Sequence, residues 1–239
     1  MNGIKYLIID SKDRLAHSTS TSDCFFRFNA YGATACEVVS FQCPMTQYNI
    51  NSTNNRVFFN DGVNRDFTIA TGNYSSYDFL TELENQFNNV SSGYTVTYSD
   101  ISMKITIAKA VTFSLLFGTN TTNTSAYILG FNNVDTPFLP SHISNNCINF
   151  SLPLYMCCII DQFSTSVKAT DDTPCTFVFI NKVNCGDILC YNEATDYKQC
   201  ANIYESNIQS LHVRFTVPGG ETLDINNADW MMLLRLCYC

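Results

Sequence analysis

The chain has 239 residues, of which 46% are hydrophobic and 14% charged, and its net charge is −8. This apolar content supports a large core, and β-sandwiches of this length commonly form one domain, so we expect a single domain over residues 1–239. The acidic balance and the absence of any Lys/Arg cluster argue against a nucleic-acid partner. No apolar run approaches the roughly 18 residues of a membrane span.

Short runs of β-branched, aromatic and apolar residues predict an all-β chain. Long Asn-, Ser- and Thr-rich stretches between these runs are typical of loops, at 44–55, 118–126 and 161–174. The predicted strands are 4–9, 24–29, 35–42, 56–60, 66–70, 94–98, 103–108, 112–117, 146–152, 154–160, 175–181, 187–191, 210–217 and 230–238.

One amphipathic helix interrupts the strands, at about 75–88. Ser75 has the spacing of an N-cap with Asp78 three residues later, which predicts the start of the helix. Apolar residues then recur at three- and four-residue steps, and this stripe predicts packing on a core. The stripe consists of Tyr77, Leu80, Leu83 and Phe87.

The segment after the helix changes period and predicts a hairpin. Apolar residues alternate with polar ones over 94–98 and again over 103–107, and Ser99 and Asp100 lie between the two runs. We therefore expect the helix to be an insert in a sheet protein.

The strand at 230–238 is apolar on both faces, with Arg235 as its only charge. Such a strand lies at the centre of a core or at a subunit interface. Charged residues are scarce in the whole chain, which predicts that other protein covers part of its surface. We therefore expect an assembly.

Twelve cysteines are spread along the chain. They would form a disulfide framework in a small secreted domain, but residues 1–14 lack the apolar core and cleavage site of a signal peptide. We therefore expect a chain made in the cytosol with reduced thiols. Structural zinc is the alternative; no Cys-x-x-Cys pair occurs, and no histidine lies near Cys185 and Cys190.

The sequence carries no recognisable catalytic constellation. Its three histidines, His17, His142 and His212, are widely separated, and we place His212 on the outer face of its strand. Acidic residues are scattered through turn-like positions rather than paired. We predict no enzyme, no cofactor and no metal; an enzyme with a Cys/His or carboxylate site is the alternative.

Several motifs together resemble one protein family. They are IIDSKDR (8–14), VVSFQCPMTQYNIN (38–51), IATGNYSSYDFLTELENQFN (69–88) with the YTVTYSD and MKITIA runs after it, FSLLFG and SAYILGF within 113–131, and the closing segment 207–236. In this order they resemble penton-type minor capsid proteins of virophages, Polinton-like viruses and nucleocytoplasmic large DNA viruses. The Cys-rich region 175–200 contributes least to the resemblance.

The resemblance implies a single jelly-roll β-sandwich with one inserted helix and a short N-terminal arm, about residues 1–22. It implies a structural protein of the virion, assembled in the host cytoplasm, whose homopentamers close the fivefold vertices of an icosahedral capsid. The implied partners are further copies of the chain and a double jelly-roll major capsid protein.

The resemblance also directs attention to the arm. Ser11, Asp13 and Arg14 match the opening motif of the family. We expect the planar guanidinium of Arg14 to hold a carboxylate or carbonyls, so that the arm is fixed to its own sandwich or to a neighbouring capsid protein. A solvated turn is the alternative.

A jelly-roll attachment or lectin-like module on the virion surface is the alternative function. It would bind a host or virus surface receptor through an aromatic platform. The platform would consist of Tyr191, Tyr197 and Tyr204, beside the carboxylates of Asp187, Asp196 and Glu205.

Overall fold

The structure is a computed structural model that describes residues 3–165, 167–168 and 172–238. The chain forms two compact units: unit 1 comprises residues 1–47 and 152–239, and unit 2 comprises residues 48–151. Unit 2 is therefore an insertion in the chain of unit 1. The sequence predicts one domain over 1–239 and shows no linker, because the chain enters unit 2 through Asn-rich sequence that resembles its other loops.

Unit 1 contains two antiparallel sheets and a short two-stranded pair, with strands numbered in chain order. The first sheet, in the order β1-β16-β3-β13 with β14 also paired to β3, contains β1 (Ile4–Asp10), β3 (Ala33–Pro44), β13 (Ile188–Asn192), β14 (Gln199–Asn202) and β16 (Met231–Tyr238). The second sheet, in the order β12-β9-β15-β2, contains β2 (Asp23–Tyr31), β9 (Tyr155–Ile160), β12 (Phe177–Ile180) and β15 (Asn207–Thr216). The short pair is β10 (Val167–Lys168) and β11 (Pro174–Cys175).

The strand order is that of a jelly roll. With β13 and β14 counted as one interrupted strand and the short pair omitted, unit 1 has eight sandwich strands in chain order. The first, eighth, third and sixth form one sheet, and the second, seventh, fourth and fifth form the other, which is the jelly-roll arrangement. The predicted all-β jelly-roll class is confirmed.

Aromatic residues from both sheets fill the core of unit 1. Phe41 of β3 stacks on Phe179 of β12 with ring centroids 4.1 Å apart, and Phe215 of β15 packs edge-to-face on Trp230 at 4.9 Å. β16 lies between β1 and β3, with Met232, Leu234 and Leu236 buried and its other face partly exposed. Of the two positions predicted for this strand, the structure has the central one in the sheet, and a subunit interface on its partly exposed face stays a prediction.

Unit 2 is a five-stranded antiparallel sheet with one helix, α1 (Ser76–Val90). Its strands are β4 (Arg56–Asn60), β5 (Asn64–Thr68), β6 (Tyr94–Ser99), β7 (Lys104–Leu115) and β8 (Leu139–Ile143), in the order β5-β4-β7-β6 with β8 also paired to β7. β6 and β7 form the predicted hairpin.

The helix is confirmed, including its N-cap, since the Ser75 side chain accepts a hydrogen bond from the backbone N–H of Asp78. Leu80 and Phe87 are buried as expected, and Phe87 stacks on Tyr94 of β6 at 4.6 Å. The predicted stripe is wrong at Tyr77, which is 63% exposed. Phe79, and not Tyr77, is buried together with Leu80, Leu83 and Phe87, so Phe79 takes the place of Tyr77 in the core-facing stripe.

Several strand assignments differ from prediction. The predicted strands 103–108 and 112–117 form the single strand β7, and β10 lies in the predicted loop 161–174. Residues 146–152 form no strand, because Ile148 N donates to Met103 O while Asn149 N donates to Ile128 O, two separate segments that cannot form one ladder. β8 and β14 were not predicted. β8 contains Pro140 and β14 is the polar run QCAN, so ladder pairing rather than residue preference makes them strands.

The eleven described cysteines form no disulfide, and six are fully buried. Burial raises the pKa of the Cys24 thiol to about 11 and that of the Cys43 thiol to about 12, so these side chains behave as small apolar groups. In the Cys-rich region, Cys175 is buried whereas Cys190 and Cys200 are exposed. Cys239 lies outside the described residues, and the reduced state of all twelve thiols stays a prediction.

Candidate functional site

The N-terminal arm is bound to its own unit at Ser11. This residue is fully buried in the 3₁₀ turn that follows β1. Its Oγ donates to Asp229 Oδ1 at 2.9 Å and accepts from the backbone N of Trp230 at 2.9 Å, and its own backbone N donates to Trp230 O at 3.0 Å. Three hydrogen bonds therefore join the end of β1 to the residues that lead into β16.

Arg14 extends the same junction. Its Nη1 donates to the carbonyl of Ser11 at 2.9 Å and lies 3.7 Å from Asp229 Oδ1. Asp13 is exposed and does not join this junction. Of the two predicted roles, Ser11 and Arg14 make the contact with their own sandwich, and docking to a neighbouring protein stays a prediction.

The three predicted surface tyrosines do not form one platform. Tyr191 is only 5% exposed, because β13 alternates and places Leu189 and Tyr191 in the core, and its hydroxyl donates to the carbonyl of Tyr197. The prediction of Tyr191 as a surface residue is therefore wrong. Tyr197 is partly exposed and its hydroxyl donates to Val178 O, whereas Tyr204 is 79% exposed.

An ion-pair network crosses the outer face of the first sheet. Arg235 of β16 donates from Nε to Glu37 Oε2 of β3 at 2.6 Å, and its two Nη atoms bind both carboxylate oxygens of Glu193 at 2.9 and 2.7 Å. Lys198 Nζ lies 2.7 Å from Glu37 Oε1. Burial alone would raise the pKa of Glu37, but hydrogen bonds from Lys198 and Arg235 outweigh it and hold that pKa below its usual value.

Beside this network, β1 presents an apolar surface. Ile4, Tyr6 and Ile8 share one side of the strand and are 63%, 56% and 65% exposed. On the neighbouring strand Leu233 lies opposite Ile8 and is partly exposed. We call Ile4, Tyr6 and Ile8 the β1 face. The alternation of residues in IKYLIID predicts a strand with two different sides, but it does not show which side faces outward.

The outer face of the second sheet holds His212 between two carboxylates. Its Nδ1 lies 2.6 Å from Asp161 Oδ2 and its Nε2 lies 2.6 Å from Asp23 Oδ1, while Phe25 stacks on the ring at 3.9 Å. A neutral imidazole has one N–H, so both bonds form only with the protonated ring. The outward position predicted for His212 is confirmed.

The two carboxylates around His212 are held ionised. Burial opposes the charge of each, but the hydrogen bonds from His212 to Asp23 and from Arg214 and His212 to Asp161 lower both pKa values. These carboxylates come from β2 and from the residue after β9, so local sequence patterns could not bring them together with His212. The ion pairs of this cluster therefore link β2, the end of β9 and β15.

Neither a cluster of metal ligands nor a membrane-spanning helix is found among the described residues. In residues 3–165, 167–168 and 172–238, no three His, Cys, Asp or Glu side chains are grouped so that they could hold a metal ion. The helix found in this part of the chain is too short and too polar to cross a membrane.

No family model matches the chain, and no curated protein matches it either. Among solved structures, the chain is similar to the crystal structure of the selenomethionine-labelled penton protein of mavirus. The TM-score is 0.47 and the sequence identity is 10%, and the match covers 98% of this chain and 99% of the mavirus chain.

Proposed function

We propose that this chain is a structural, non-enzymatic minor capsid protein, a penton whose homopentamers close the fivefold vertices of an icosahedral DNA virus capsid. The observation that carries the proposal is the eight-stranded jelly roll of unit 1 with the exposed β1 face at one edge. An apolar surface on an edge strand is usually covered by another chain. The family resemblance of the sequence motifs supports the same role.

A closed ring requires two different surfaces on each subunit, because each copy binds the next one head to tail. The β1 face is the first. The second is an apolar patch at the edge of the other sheet, where Leu154 and Ile180 are exposed and Asn181 N donates to Leu154 O.

These two surfaces lie at opposite ends of the sandwich. β1 packs near β2, since Leu7 and Ile9 line a small cavity together with Phe26 and Phe28. At the other end β12 adjoins β14, since the Gln199 side chain accepts from Val178 N at 2.7 Å and donates to Val178 O at 2.9 Å. This placement suits a head-to-tail ring.

Charge opposes assembly of the isolated ring. Each copy carries −8, and like charges repel over about 10 Å at moderate salt. We expect pentamers that are favoured by added salt and by the double jelly-roll major capsid protein, with monomers in dilute buffer at low salt.

Native mass spectrometry and light scattering across a salt and concentration series test the proposal. We expect a monomer–pentamer equilibrium that Ile8→Ser shifts to monomer. Ile101→Ser is the matched control, because Ile101 is 97% exposed but lies in unit 2. A stable dimer or trimer under all conditions would contradict the vertex assignment, as would an equal effect of the two substitutions.

The arm is tested separately in reconstituted capsids. If Arg14 docks on the major capsid protein, Arg14→Ala should lower incorporation into capsids while the soluble pentamer persists. Incorporation at the level of the parent chain would restrict Arg14 to the contacts that it makes in its own unit.

A further inference from the structure

A shallow groove of about 440 Å³ lies in unit 2 between α1 and β6. We call it the α1–β6 groove. Its helical side is a stripe of residues at three- and four-residue steps, and its strand side is the edge of β6 that β7 does not cover. Tyr77 and Tyr98 line it together with the polar side chains of Thr81, Glu84 and Asn85.

One end of β6 is closed by the helix. Glu84 Oε2 accepts from Val96 N at 2.7 Å, and Asn88 Oδ1 accepts from Gly93 N at 2.8 Å and Tyr94 N at 3.0 Å. Alternate residues of a strand direct their backbone groups to the same edge. The carbonyl of Val96 and the backbone of Tyr98 therefore point toward the helix side, where the groove lies.

The aromatic wall of the groove is exposed yet held in place. Tyr77 leaves most of its ring in contact with solvent, and its hydroxyl donates to Asp100 Oδ1 at 2.9 Å. Its ring meets that of Tyr98 edge-to-face, with centroids 6.4 Å apart. An exposed tyrosine fixed at its hydroxyl offers an apolar face at little cost in conformational entropy.

The polar side of the groove offers hydrogen-bond acceptors and an amide. Glu84 uses Oε2 for the strand, and Glu84 and the exposed Asn85 both line the groove. Among the described residues that line the groove none is Lys or Arg, while Asp100 stands beside Tyr77. This charge pattern repels anions and favours neutral ligands with hydroxyl donors.

We propose that the α1–β6 groove binds a neutral sugar ring, whose C–H face packs on Tyr77 and whose hydroxyl groups bond to Glu84 and Asn85. A few polar groups beside an aromatic surface match this chemistry, because a sugar has an apolar face and a hydroxyl-bearing rim. The site lies in unit 2 alone, so the proposal is independent of pentamer formation.

Saturation-transfer NMR on the full chain tests the site, with the methyl glycosides of glucose, galactose, mannose and N-acetylglucosamine as probes. N-acetylneuraminic acid serves as the anionic probe. At least one neutral glycoside should bind with a Kd on the order of 1 mM, as expected for a small ligand on a shallow site, and the anionic sugar should not bind.

Matched variants locate the binding. Tyr77→Ala should weaken it about tenfold, whereas Tyr127→Ala, at another exposed tyrosine of unit 2, should leave it unchanged. Asn85→Ala should weaken binding while Asn89→Ala, exposed on the same helix but outside the groove, should not. These four side chains are exposed, so the variants should keep the fold, which thermal unfolding checks.

Three results would overturn the proposal. One is the absence of transfer to every neutral glycoside, and another is binding of N-acetylneuraminic acid at equal strength. The third is loss of binding in Tyr127→Ala or Asn89→Ala that matches the loss in Tyr77→Ala or Asn85→Ala, because this would place the sugar elsewhere.

Discussion

The two units differ in whether the outer edge of an edge strand is covered by other residues of the chain. In unit 1, β1 pairs with β16 along one of its edges, and no described strand pairs with its other edge. The β1 face is exposed beside this unpaired edge. In unit 2, the edge of β6 is occupied by side chains of α1, with Glu84 and Asn88 bonded to its backbone. An open apolar edge suits a protein neighbour, and an edge closed by a helix prevents strand addition.

Removing the core contact of the helix should have the largest effect. Phe87→Ala is expected to lower the free energy of unfolding by about 3–5 kcal/mol, because Phe87 is fully buried against Phe59 and Tyr94. Urea unfolding followed by circular dichroism measures it, with the exposed Tyr77→Ala as control. A loss below about 0.5 kcal/mol in Phe87→Ala would mean that the helix does not pack on the sheet.

Removing the Glu84 side chain, which covers the edge of β6, should have a smaller effect on stability. Glu84→Ala leaves the Val96 N–H without its carboxylate and should lower the free energy of unfolding by about 1–2 kcal/mol. The bared edge of β6 should also promote self-association, detectable by light scattering. Glu82→Ala is the control, since Glu82 accepts a hydrogen bond from Gln86 of the same helix and not from β6 among the described residues. Equal results for both variants would show that Glu84 does not protect the edge.

Acid should weaken both units, in a graded way. The pKa values of Asp23, Asp161 and Glu37 in unit 1 and of Asp61 in unit 2 are lowered in the folded chain. Groups with lowered pKa values stabilise the fold above their unfolded values, near pH 4, and this stability is lost as the pH falls further. We expect the melting temperature to fall steadily below about pH 4, measured by calorimetry.

Asp61 should distinguish the two units in that titration. Its carboxylate is nearly fully buried and accepts from Lys109 at 2.6 Å, Ser91 at 2.6 Å and Arg65 at 2.9 Å, which lowers its pKa far below the usual range despite burial. Asp61→Asn should therefore make unit 2 less stable at neutral pH and flatten its acid response. An unchanged acid profile in this variant would assign the response to other carboxylates.

A substitution on the β1 face, beside the unpaired edge, should cause the smallest change in the stability of the subunit. Ile8→Ser is expected to alter the free energy of unfolding of the monomer by no more than about 0.5 kcal/mol, because Ile8 is mostly exposed. Urea unfolding of the monomer at low salt measures it. A loss of several kcal/mol would mean that Ile8 stabilises the sandwich itself, and the contrast between the two edges would fail.

Local patterns in the sequence predicted what depends on neighbouring residues. The N-cap at Ser75, the helix and the hairpin of β6 and β7 each depend on residues within one segment, and each was predicted. The jelly-roll class followed from strand alternation together with the family resemblance. Alternation alone does not say which side of a strand is inside, which is why Tyr191 was assigned to the surface and the β1 face was missed.

Contacts between distant segments could not be predicted in this way. The carboxylates on either side of His212 are supplied by Asp23 and Asp161, far apart in the chain. The hydroxyl of Ser11 bonds to the residues before β16, although its motif suggested only a role in the arm. The boundaries of unit 2 were also missed, because they coincide with ordinary loop composition.

The pairing of β1 with β16 has a consequence for synthesis on the ribosome. Ile4 lies opposite Cys237 and Asp10 opposite Met231, so this ladder must wait until residues 231–237 have been translated. Unit 2 is continuous in sequence and can fold much earlier. Until β16 emerges, β1 and β3 lack the strand that lies between them, and their apolar residues are available to chaperones or to aggregation. A nascent chain halted after β15 should therefore contain a protease-resistant unit 2 attached to an unfolded sandwich.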